Sequence, residues 1–122
     1  SQCDSQFSLL TVMSRLVREN EDVLKFLRKA KPRYRKALLN SADKNLVHCI
    51  CECVHNTLLG RVPLSKSQKL QLVKYKKILR SLVKRRESFA KKKKIIVQNG
   101  GAFLPLLLAP IISGVLSSLI NK

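Results

Sequence analysis

The segment His48-Cys49-Ile50-Cys51-Glu52-Cys53-Val54-His55 has the residue types of a metal site. Thiolate and imidazole are good zinc ligands. On a helix, His48, Cys51, Glu52 and His55 share one face. Structural zinc sites, however, pair C-x2–4-C turns with a second, distant pair, and no second pair follows here. Cys49 and Cys53 also fall on an apolar helical stripe, where a free cysteine acts as a small hydrophobe. The expectation is core packing, with no metal and no cofactor. A nucleophile elbow, a phosphate-cradling glycine loop and a carboxylate pair are all missing, so no catalytic residue is assigned and no enzyme is expected.

Charge gives the stronger chemical signal. The chain of 122 residues carries a net charge of +18. Residues 1–60 hold 10 Lys/Arg against 6 Asp/Glu, whereas residues 61–94 hold 14 Lys/Arg against one acid, Glu87. Such a stretch repels itself unless it meets a polyanion, and nucleic acid and anionic membrane are the usual partners. The candidate nucleic-acid contacts are Lys66, Lys69, Lys74, Lys76, Lys77, Arg80, Lys84, Arg85, Arg86, Lys91, Lys92, Lys93 and Lys94. Most are lysines, which act as point charges and suit sequence-independent phosphate contact on double-stranded DNA. There is no Trp, and only 5% of residues are aromatic, which disfavours recognition by base stacking.

The third feature is a junction. Lys91–Lys94 gives way to Gln98-Asn99-Gly100-Gly101 and then to Ala102–Ile120, 19 residues without a charge. That run is barely long enough to span a bilayer. Three readings of it stand at this point: a tail anchor, a segment lying in a membrane interface, or an apolar plug folded against the rest of the chain.

These features need elements to position them. No strand signal of any length occurs, and the fold class is all-α. Residues 1–60 read as a small helical bundle. It comprises an amphipathic helix over Gln6–Arg18, then a second capped by Asn20 with Val23, Phe26 and Leu27 inward. A third helix starts at Pro32, and a fourth runs over Lys44–Leu59 with Asp43 or Ser41 as its cap and Gly60 closing it. A linker through Pro63 leads to a capping box at Ser65–Gln68. From there one long basic amphipathic helix is expected within 61–95, with Leu72, Tyr75, Leu79, Leu82 and Phe89 on its apolar stripe. Residues 96–101 form a Gly-Gly junction that breaks this helix, and 102–122 a hydrophobic tail. No secretory signal opens residues 1–22, and three of four cysteines lie within five residues, so an intracellular setting with reduced thiols is expected.

The junction resembles the C-terminal part of the adenovirus core protein X precursor (pre-mu). That family joins a basic, DNA-condensing segment to a Gly-Gly cleavage site and a tail with a similar Leu-Pro-Leu-Leu start. Gly-Gly followed by Ala-Phe is also similar to the processing site of the adenovirus protein VI precursor. Carried over, Gln98, Asn99, Gly100 and Gly101 form the recognition sequence of the viral maturation protease, and the bond cut is Gly101–Ala102. Residues Gly60–Val83 and the overall plan resemble late proteins of Polinton (Maverick) and adintovirus elements. The resemblance implies a virion core protein acting in the host nucleus. It further implies membrane or capsid contact through 102–120 and room for self-association. The alternative is a tail-anchored membrane protein whose basic helix binds anionic lipid. The run FLPLLLAPIISGVLSSLI also resembles short membrane-active amphibian peptides, although the large basic region before it fits that reading poorly.

Overall fold

The computed structural model describes residues 12–113, and within them all regular structure is α-helical. A first helix, α1, covers residues 12–19. It is followed by α2 (Glu21–Lys29), α3 (Pro32–Asn40), α4 (Lys44–Leu58), α5 (Lys66–Val73), α6 (Lys76–Leu82) and α7 (Phe89–Ile111). The beginning of the expected first helix, and tail residues 114–122, lie outside the described residues.

Local signals set most helix ends. Asp43 accepts a hydrogen bond from the Leu46 amide at 2.9 Å and starts α4. Gly60, at φ 75°, closes it, and the following Arg61 amide donates back to the Asn56 carbonyl at 3.0 Å. Ser65 and Gln68 form the reciprocal capping box that opens α5. Pro32 occupies the first turn of α3, where its missing N–H costs nothing. Asn20 departs from expectation: its side-chain amide donates back to the Leu16 carbonyl and across to Asn45 rather than capping α2. The buried residues of α2 are Leu24 and Leu27, while Phe26 is exposed, so the helix is rotated relative to the expected inward face.

The largest corrections concern residues 61–111. The basic stretch is not one helix. It breaks at Lys74-Tyr75 and again over residues 83–88, and Ser88 caps the next helix through the Lys91 amide. The cations at 76, 80 and 84 follow one another at i, i+4 and weaken a continuous helix. The breaks let Leu72, Leu79 and Leu82 all be buried in the same core.

Nor does Gly100-Gly101 break a helix. Both glycines lie inside α7, which runs unbroken from the lysine cluster into the apolar run. Its buried residues are Ile96, Gly100, Phe103, Leu104, Leu107, Leu108 and Ile111, a stripe of helical period. Helices α2 to α6 all pack against α7. In the described part of the apolar run, 102–113, Phe103, Leu104, Leu107, Leu108, Ile111 and Ile112 are buried among the other helices. By length and composition alone α7 would also pass as a membrane span, with mean hydropathy 1.4 over its best window, as core helices of soluble bundles do.

Two details fix how α3 meets α7. A Cβ added at Gly100 would stand 2.9 Å from Leu39 Cδ1 and 3.0 Å from Leu104 Cδ1, so the glycine permits a close crossing. One residue on, the Gly101 carbonyl should accept from residue 105, which is Pro105 and has no N–H. The buried Arg35 supplies the missing donor through Nη1, while its Nη2 donates to the Ala30 carbonyl at 2.6 Å. One guanidinium therefore closes the end of α2 and bolts α3 onto α7.

Two outcomes follow for urea denaturation. At Gly101 an added Cβ meets only Arg35 Nη1 at 4.0 Å, so Gly101→Ala raises stability by about 1 kcal/mol through helix propensity. Gly100→Ala forfeits that gain by crowding Leu39. Arg35→Met costs about 2–3 kcal/mol, because a charged hydrogen bond is lost and a carbonyl is orphaned. In a Pro105→Ala background, where the helix regains its own donor, the same substitution costs at least about 1 kcal/mol less.

Candidate nucleic-acid interface

The thirteen expected cations lie on the outside of residues 66–94. Lys66 and Lys69 are on α5, Lys74 follows it, and Lys76, Lys77 and Arg80 are on α6. Lys84, Arg85 and Arg86 form the 83–88 turn, and Lys91–Lys94 the first turns of α7. All are exposed except Lys92 and Lys93, which are half-buried. Among the described residues only Lys91 of this set has an acidic partner, Glu87 at 3.1 Å. The others hold charge that nothing in the described fold neutralises.

The lysine run is not uniform. Lys91 is engaged by Glu87, and Lys92 stands near the Cys51 thiol. Lys93 and Lys94 open into a cleft between α7 and α3, where they meet Lys36. Sequence reading left out this second basic element. Six of the nine residues 28–36 are Lys or Arg with no acid among them, a signal diluted by averaging over residues 1–60. Of these six, Arg35 is internal and structural, whereas Lys29, Lys31, Arg33 and Lys36 are exposed. Arg33 lies 4.7 Å over the Tyr34 ring, so that ring carries a cation on its face.

The His48–His55 segment lies on α4. Cys49 and Cys53 are in the core, and Cys51 is half-buried. His48 pairs with Glu52 at 3.4 Å, and no group of three potential ligand side chains comes together among the described residues. Burial pushes the Cys51 thiol up to about 11, against a smaller opposing effect of Lys92. A hydrogen bond with Cys49, then burial, raises Cys53 as well. Both stay protonated at neutral pH.

The expected cleavage residues are placed in helix. Gln98 and Ala102 are exposed, Gly100 is buried, Asn99 donates to the Ile95 carbonyl at 3.0 Å, and the Gly101 carbonyl is held by Arg35. No protein-family model matches the chain, and no curated protein or solved structure is significantly similar to it.

The raised thiol is directly measurable. Alkylation of Cys51 in the native protein at pH 8, mapped by peptide mass, should run on the order of a hundredfold slower than in denaturant, where the thiol returns to its usual range near 8.5.

Proposed function

We propose that this is a non-enzymatic protein that binds double-stranded DNA without sequence preference and neutralises its phosphates, in the manner of a virion core protein acting in the host nucleus. The observation that carries the reading is the surplus of cations on the outer faces of α5, α6, the 83–88 turn and the start of α7, with a single acid paired to them. Lysine predominates among them and gives charge without the fork geometry that reads guanine. Self-association and capsid contact belong to the same reading.

Release of the tail by a maturation protease, with the Gly101–Ala102 bond cut, is part of this proposal and gains a condition from the fold. Proteases favour exposed loop segments. The bond lies in α7, with its carbonyl tied to Arg35. The helix must open around residues 98–102 before the bond can enter a cleft, so cutting would follow a loosening of the bundle.

The second reading is a tail-anchored protein whose cations face anionic lipid. Its support is the length and apolar character of α7. Insertion would require α7 to leave the core that α2 to α6 form around it.

Fluorescence anisotropy with a 30-base-pair duplex tests the first reading. With six to ten phosphates neutralised, affinity should fall about 10³–10⁵-fold between 50 and 200 mM salt. A nearly flat salt response on duplex DNA, together with strong flotation on anionic liposomes, would transfer the case to the membrane reading.

A further inference from the structure

We propose that the cleft between α3 and α7, edged by Lys36, Asn40, Lys93, Lys94 and Gln98, is a phosphate subsite that seats the backbone of duplex DNA. The inference rests on the polyanion-binding reading and gives it an address. The cleft has a volume of about 450 Å³ and is open on one side, as suits a passing strand rather than an enclosed metabolite.

Its chemistry is one-sided. Three ammonium groups and two carboxamides line it, and no acid does. Lys36, Lys93 and Lys94 have no ion-pair partner among the described residues. Lys36 and Asn40 are four residues apart on α3, as are Lys94 and Gln98 on α7, so each wall presents a cation and an amide donor on one face. Ammonium and amide N–H groups are the donors that phosphate oxygens accept from.

The site also holds unfavourable charge before anything binds. Lys91–Lys94 stand at the start of α7, the positive end of its dipole, and the first turn contains no acid. Lys36 comes from the other wall with the same sign. An anion in the cleft offsets both repulsions, so binding is favoured by more than solvent-screened pairing of isolated lysines.

The walls are set in advance. Arg35, beside Lys36, holds α3 to the Gly101 carbonyl of α7, and Gly100 lets Leu39 approach closely. A subsite whose walls are already positioned loses ordering entropy on binding only in its side chains. On α5, Lys69 borders a different, mostly apolar cleft whose other cation is Lys76, and no carboxamide joins them there.

The test compares equal losses of charge at two places in the full chain. One variant carries Lys36→Gln, Lys93→Gln and Lys94→Gln; the other carries Lys66→Gln, Lys69→Gln and Lys74→Gln, with folding checked by circular dichroism. For a 30-base-pair duplex at 150 mM salt, the cleft variant should weaken binding at least tenfold more than the α5 variant. Its salt slope should drop by about 2–3. Equal weakening by both triples overturns the subsite while leaving the DNA reading intact. If the parent protein binds no duplex even at 50 mM salt, the DNA reading itself fails. Loss of phosphatidylserine-vesicle binding by the cleft variant alone would then overturn the assignment to DNA and give the cleft to lipid headgroups.

Discussion

The apolar stripe of α7 has to leave water, and no single neighbouring helix is wide enough to cover it. Phe103, Leu104, Leu107, Leu108 and Ile111 are fully buried, each worth about 1.5–3 kcal/mol relative to exposure. Five short helices, α2 to α6, are arranged around that rod. Their brevity has a geometric reason, since short pieces can wrap a cylinder, whereas a single straight helix touches it along one line. Even the aromatic contact in the core, Tyr75 against Phe103 with centroids 6.4 Å apart, ties a break in the basic stretch to the rod.

Opposed tendencies are thereby resolved along one helix. The first turns of α7 are cationic and lie at the surface; the remainder is apolar and central. Two glycines and two prolines in such a helix would ordinarily weaken it. Gly100 and Pro105 each have a specific compensation. Gly100 accepts the close pass of Leu39, and the Gly101 carbonyl, left without a donor by Pro105, is met by Arg35. The lysine at 44 adds a contact near the helix start, 5.9 Å from the Phe89 ring.

What could be read from the chain was what is decided locally. The Asp43 cap, the Ser65–Gln68 box, Gly60 and the apolar placing of Cys49 and Cys53 each depend on residues within four positions, and all stand as expected. The rotation of α2 that exposes Phe26, the splitting of the basic stretch and the helical state of Gly100-Gly101 depend on distant partners. A glycine pair signals a break only if no neighbour needs its absent side chains, and Leu39 is 61 residues away in the chain. The cations of 66–94 were legible as a charge surplus. Their convergence with Lys36 was not, because it arises from the crossing of α3 with α7.

The position of the rod in chain order has a consequence for biosynthesis. Translation proceeds at about 5–20 residues per second, and α7 is the last described helix to leave the ribosome. Until it does, Leu24, Leu27, Leu39, Ile50 and Leu79 lack the helix at the centre of their core. The nascent chain must wait in an unfinished state for several seconds. Its heavy positive charge sets a mutual repulsion between such chains while their leucines are still exposed.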